Sequence, residues 1–229
     1  MIPSILISSI SISPYLDSSS TQENRINKNN IPICIASKGI EESKEELLSN
    51  IVSKTLKTNN VAVISGPTFA VDILNNEPVA LALASKTKKV KDYVLESLAN
   101  DTLKLRPSKD IIGIQMCGAI KNVIAIASGM LDGLKAKEST RAMLLTEALH
   151  DMEKIIVEFG GKERTILSYA GFGDLLLTCS SEKSRNYRFG KLLGQGVSNE
   201  EIDDFLAKNT VEGYNTSNCI YKLLKEKEI

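Results

Sequence analysis

The sequence predicts an α/β half followed by an all-α half. Three observations carry this reading. Up to residue 107, short apolar runs alternate with polar helical stretches. From residue 108 onward apolar residues recur almost throughout at helical spacing. Between the two lies the most apolar run of the chain, 111–131, which reads as a buried helix.

In chain order, "IPICIASKG" (31–39) and "VAVISGP" (61–67) read as buried strands with a glycine at or near the end. The stretch 41–56 between them reads as a helix, with Leu47, Leu48, Ile51 and Leu56 near one face. "PVALALAS" (78–85) is a third strand, 88–100 a second helix and "TLKLRP" (102–107) a short fourth strand. Such alternation implies a sheet with crossover helices. In the second half, 139–161 reads as a helix capped by Ser139 and stopped at Gly160 and Gly161. Met143, Leu144, Ala148, Met152, Ile155 and Phe159 form its apolar positions. The serine- and asparagine-rich stretch 17–30 reads as a loop.

Bulk properties remove several functions. Twenty-eight basic residues balance 28 acidic ones, which gives no electrostatic footprint for nucleic acid or an anionic membrane. Cys34, Cys117, Cys179 and Cys219 are far apart, with no C-x-x-C pair for zinc or redox chemistry. No metal site is expected. The opening "MIPSILISSISISPYLD" lacks a positive start and dilutes its apolar residues with serine, unlike a signal peptide. A soluble, reducing, cytoplasmic setting follows as the expectation.

The run 111–131 is long enough to span a membrane. Lys121 at its centre argues against this, since a charge there costs roughly 2.5–3.5 kcal/mol on insertion scales. A buried ammonium in a soluble helix still needs a partner or a task. On the residues alone, Lys121 is either a snorkelling core lysine or a catalyst.

An α/β half joined to a helical half suggests a nucleotide-dependent enzyme. The phosphate-binding fingerprint G-x-G-x-x-G is nevertheless not found in the sequence. "GFGDLL" (171–176) has only two of its glycines and follows no strand, and "GKLLGQG" (190–196) fits no Walker loop.

The order of other motifs carries further. "ASKGIE" (36–41), "SGPTFA" (65–70), "GAIKNVIAIASG" (118–129), "GFGDLLLTCSSEKSRNYRFG" (171–190) and "TVEGY" (210–214) occur in this succession. Together they resemble the bacterial NAD(P)-dependent glycerol-3-phosphate dehydrogenase family, from about residue 31 to the end. "GDLLLTC" and "SRN" set the chain apart from the β-hydroxyacid dehydrogenases, which have a similar catalytic lysine.

The resemblance implies a partial Rossmann-like dinucleotide-binding domain over 1–107 and a helical substrate and catalytic domain over 108–229. It implies an oxidoreductase that interconverts sn-glycerol 3-phosphate and dihydroxyacetone phosphate with NAD or NADP, in phospholipid synthesis, and it allows a homodimer. Lys121 would be the catalytic base; burial or a nearby cation must then lower its pKa to make it effective at neutral pH. Lys38, Gly66, Thr68, Asn122, Asp174, Ser184, Arg185 and Asn186 would complete the substrate site. Lys38, Ala70, Arg185 and Glu212 would touch the cofactor. Asp174 alone could equally be a helix N-cap, and Arg185 alone a solvated arginine. His150 receives no role. By the same resemblance "IPS" (2–4) falls at a strand end partway through the nucleotide domain, so the chain is expected to lack the glycine-rich loop and the family's last helices. Weak cofactor binding and little turnover are then expected of it, as is the alternative of a non-catalytic remnant.

Overall fold

The computed structural model describes residues 6–8, 31–41 and 46–226. Five strands form the main sheet: β1 (Leu6–Ser8), β2 (Ile33–Ile35), β5 (Val61–Ser65), β6 (Val79–Ser85) and β7 (Leu103–Ser108), side by side in that order. β3 (Ile40–Glu41) and β4 (Glu46–Leu47) make a separate antiparallel pair. Three helices belong to this half among the described residues: α1 (Leu48–Thr55), α2 (Ala70–Leu74) and α3 (Lys88–Leu98). The loop expected over 17–30 and the "IPS" segment lie outside the described residues.

β2 and β5 are buried along their whole length, which is why they read as unbroken apolar runs. The sheet is mixed. β1, β2 and β5 run parallel, and β6 and β7 run parallel to each other, but β5 and β6 are antiparallel. Crossover helices were expected throughout; α2 is only five residues long, and the chain re-enters the sheet at the end where β5 leaves it. The helix expected over 41–56 begins at Leu48, because Glu46 and Leu47 pair with β3. Leu47, Leu48 and Leu56 of its predicted face pack against the core, which Val52 joins, and Ile51 is buried.

The second half is helical: α4 (Ile111–Gly133), α5 (Glu138–Glu158), a 3₁₀ turn at Glu163–Leu167, a wide turn at Tyr169–Gly173, α6 (Asp174–Cys179), α7 (Arg185–Gln195), α8 (Asn199–Lys208) and α9 (Glu212–Glu226). Ser139 does not cap α5. Lys137 is the extended residue from which the chain enters the helix at Glu138, leaving Ser139 inside the first turn. Met143 faces solvent, whereas Ala148, Met152 and Ile155 are buried as their spacing predicts. α4 is long and apolar enough to cross a membrane, but most of that stretch is buried inside the protein.

α4 is the axis on which the site is built. Asp110 caps it, accepting from Gly113 N at 2.9 Å. The second oxygen of Asp110 accepts from Lys162 N at 2.8 Å and from Thr165 Oγ1, tying the start of α4 to the 3₁₀ turn. Along its other end α4 meets α7 backbone to backbone. A Cβ on Gly129 or Gly133 would collide with the carbonyls of Tyr187 and Lys191, and one on Gly190 or Gly194 with those of Ile126 and Met130. Two pairs of glycines, each four residues apart, thus let the helices touch. The approach brings the N-terminus of α7 beside the middle of α4.

Candidate active site

Lys121 lies halfway along α4, only 4% exposed. Its ammonium donates to Asp174 Oδ1 and, at 2.8 Å, to Thr178 Oγ1. Asp174 is 1% exposed, and its other oxygen accepts from Lys38 Nζ at 2.7 Å. Asp174 is the first residue of α6, not its cap; its carboxylate faces the two lysines instead of the backbone. The hydroxyl of Thr178 gives its proton to the Asp174 carbonyl at 2.6 Å, so it meets Lys121 as an acceptor.

Local sequence explains why Asp174 arrives there. The wide turn before α6 folds back on Ile166, and a Cβ at Gly171 would strike the Ile166 carbonyl. Gly173 leaves room for Pro67, whose nearest ring atom lies 3.3 Å from where its Cβ would be. Pro67 of the "SGPT" loop thus packs against the residue before Asp174, and Thr68, half-buried, donates its N–H to Gly66 O at 2.9 Å. Gly66 has a separate reason to be glycine. Its Cβ would meet Ala80 O at 2.9 Å and Leu81 Cα at 3.0 Å, so β6 and not a ligand fills that space. Ala70, the first residue of α2, is exposed. Lys183 bonds Asp72 at 3.0 Å and sits over the Phe69 ring, joining this loop to the "SRN" segment.

Three further predicted residues hold one another. Asn122 Nδ2 donates to Glu212 Oε2 at 2.8 Å, and Asn186 Oδ1 accepts from Gly213 N at 2.8 Å. These bonds fasten α4, α7 and α9 where they meet. Ser184 caps α7 by accepting from Tyr187 N at 3.2 Å. Arg185 follows it, exposed, with no hydrogen bond or ion pair among the described residues. The structure thus joins Lys38, Lys121 and Asp174 directly, links Asn122, Asn186 and Glu212 beside them, and leaves the Arg185 guanidinium free of protein partners among the described residues.

Two ammonium groups around one carboxylate set the electrostatics. Burial, then the charge of Lys38, pushes Lys121 down to about 7, although Asp174 pulls the other way. Burial also opposes charge on Lys38, but the Asp174 carboxylate more than offsets it and Lys38 is raised above the usual lysine range. The two lysines titrate as a pair. Lys121 has 5% of its side chain exposed against 20% for Lys38, so it is the group that gives up its proton first. The four cysteines are free and buried, and burial pushes Cys34 and Cys179 up to about 12. They stay neutral and inert.

Thr178 was missed in the sequence. Its signal was available: four residues after Asp174 on a helix, it shares a face with that carboxylate.

Comparison with known proteins places the chain. Residues 5–91 match the profile of the NAD-dependent glycerol-3-phosphate dehydrogenase N-terminus, and residues 110–229 that of the C-terminus. The chain is 38% identical over 192 residues to a glycerol-3-phosphate dehydrogenase [NAD(P)+] of Halothermothrix orenii, covering 84% of this chain and 56% of the relative. It is 39% identical over 185 residues to the protein of that name from Coxiella burnetii, covering 80% of this chain and 55% of the relative. The chain therefore spans about half the length of these curated relatives. The crystal structure of glycerol-3-phosphate dehydrogenase from Coxiella burnetii superposes with a TM-score of 0.85 at 32% identity, over 98% of this chain and 68% of that one. The chain belongs to the NAD-dependent glycerol-3-phosphate dehydrogenase family.

Proposed function

We propose that this chain carries the proton-transfer and substrate site of a dehydrogenase that interconverts sn-glycerol 3-phosphate and dihydroxyacetone phosphate with NAD or NADP. We read residues 1–107 as part of a dinucleotide-binding domain and 108–229 as the helical substrate domain. The two family profiles, ending at 91 and starting at 110, fall on either side of that border. A soluble, cytoplasmic protein acting in phospholipid synthesis, as a homodimer, is the accompanying reading; the curated relatives' names support its reaction and cofactor.

One observation carries the reading: a buried lysine whose pKa is brought to about 7 by burial and a second ammonium, and whose N–H groups are already committed. A neutral amine has two N–H groups and one lone pair. Asp174 and Thr178 accept the two N–H groups, so the lone pair faces the remaining direction. A secondary alcohol placed there loses its hydroxyl proton to Lys121 Nζ as its C–O bond becomes C=O. In the reverse direction the ammonium returns that proton to the ketone oxygen. Lys38 stabilises negative charge developing on that oxygen, and Arg185, free among the described residues and exposed, suits the phosphate end.

A nicotinamide cofactor fits the chain's own residues. The carboxyl ends of the adjacent parallel strands β2 and β5, the usual ligand edge of an open α/β sheet, lead to Lys38 and to a buried hydroxyl at Ser65 with no partner among the described residues. Lys38, Ala70 and Arg185 would hold it, with Glu212 acting from behind Asn122. When bound, the cofactor supplies the hydride acceptor or donor. The test is glycerol 3-phosphate-dependent reduction of NAD and NADP by the purified chain, beside Lys121→Ala. Turnover indifferent to that substitution, or to glycerol 3-phosphate, rejects the reading.

A further inference from the structure

We infer that Ser65 is a cofactor-binding residue: its Oγ is a hydrogen-bond partner for the carboxamide of a bound nicotinamide ring. The inference rests on the dehydrogenase reading above. Ser65 ends β5, is 3% exposed, and its hydroxyl has no hydrogen-bond partner among the described residues. Leaving a buried hydroxyl unpaired is costly, and nearly all such groups find a partner.

The surroundings offer none. With Lys38 as placed, Ser65 faces a crevice shared with Lys38, Gly118 and Gln115 that is too narrow to admit a water. Gln115 is used up: its amide oxygen accepts from Ser49 N at 3.0 Å, and its nitrogen donates to Ser49 Oγ at 2.9 Å and Ile111 O at 2.8 Å. The Lys38 ammonium is held by Asp174. Gly118 keeps the crevice from closing altogether, because a Cβ there would lie 3.3 Å from both Ser65 Oγ and Lys38 Cγ.

The crevice lies on the sheet side of the catalytic cluster. Lys38, which lines it, bonds Asp174 of that cluster, and Gly118 is one helical turn before Lys121. Ser65 and Lys38 sit at or just beyond the carboxyl ends of two parallel strands. A hydroxyl both donates and accepts, which matches an uncharged amide; a phosphate is better served by the exposed guanidinium of Arg185. Lys38 is the wall that can give way, being a flexible stem with a fifth of its side chain exposed.

The experiment compares the unaltered chain with Ser65→Ala by titrating NADH, followed through NADH emission in a protein without tryptophan, and by thermal melting without cofactor. Ser65→Ala should bind NADH about fivefold more weakly, the loss of one ordinary hydrogen bond. It should melt at the same or a higher temperature, since an unpaired buried hydroxyl has been removed. Equal NADH affinity in the two proteins, or a melting point several degrees lower in the variant, overturns the inference and leaves the dehydrogenase reading standing. Weakened binding of dihydroxyacetone phosphate with unchanged NADH affinity also overturns it, assigning the hydroxyl to the substrate. If the unaltered chain does not bind NADH at millimolar concentration, the cofactor reading itself falls, and this inference with it.

Discussion

Asp174 and Lys38, 136 residues apart in the chain, meet at 2.7 Å, while the other oxygen of Asp174 holds Lys121. One buried carboxylate thus serves two ammonium groups, and the cluster carries an excess of positive charge. That excess, added to burial, is what makes Lys121 ready to lose a proton. It also makes Asp174 the member whose loss is felt most.

Asp174→Ala should be the most damaging change in the site. It leaves two ammonium groups facing each other in a buried space, and removing one partner of a buried pair costs about 3–5 kcal/mol. Urea unfolding should show a lower midpoint at unchanged slope. A midpoint within error of the unaltered protein would mean that the lysines are solvated and the cluster is looser than described.

Lys121→Met should separate stability from function. It removes a buried ammonium and leaves Asp174 paired with Lys38, so melting should be unchanged or raised. Turnover should fall by about 10²–10⁴-fold with cofactor affinity retained. Near-normal turnover in this variant excludes Lys121 as the base.

The pH dependence should have opposite signs in the two directions. With Lys121 at about 7, alcohol oxidation needs the neutral amine and should rise as pH passes through 7. Ketone reduction needs the ammonium and should fall over the same range. For stability, the unfolded lysine titrates near 10.4, well above the folded value. The unfolded chain therefore holds the proton more tightly between about 7 and 10.4, and the burial penalty is full below 7 and relieved as pH rises. Lys38, raised instead, stays charged across that window. The melting advantage of Lys121→Met should accordingly shrink from pH 7 to pH 10, and a constant gap would refute the depressed value.

Arg185→Ala should leave the melting temperature unchanged, because the guanidinium is exposed and bonds no described residue. The Michaelis constant for the phosphorylated substrate should rise roughly 10–100-fold, the value of one or two charge-assisted hydrogen bonds. Gly190→Ala is the converse. Its methyl would strike the Ile126 carbonyl, and forcing α7 from α4 should cost about 1–3 kcal/mol while displacing Arg185 and Asn186 from the site.

Much of this protein could be read in the residues themselves. β2 and β5 announce themselves as unbroken apolar runs because both their faces are buried. The change from strand to helix near 108 follows from a change in apolar period, and α4 was evident from composition alone. Lys121 stood out because an ammonium in such a run needs a partner. These are local properties, governed by secondary-structure period and by the cost of burying charge.

Only the tertiary structure decided the rest, because it depends on residues far apart in the chain. That Asp174 would serve two lysines instead of capping α6 depends on the turn at Gly171 folding onto Ile166. The antiparallel entry of β6 depends on how far α2 carries the chain. The glycines at 129, 133, 190 and 194 are uninformative singly; their meaning appears when two helices meet backbone to backbone. The hydroxyl of Ser65, unpaired among the described residues, could not be read in "VAVIS" at all. Whether a buried polar group is satisfied depends on every element packed around it, and no single stretch of sequence contains that environment.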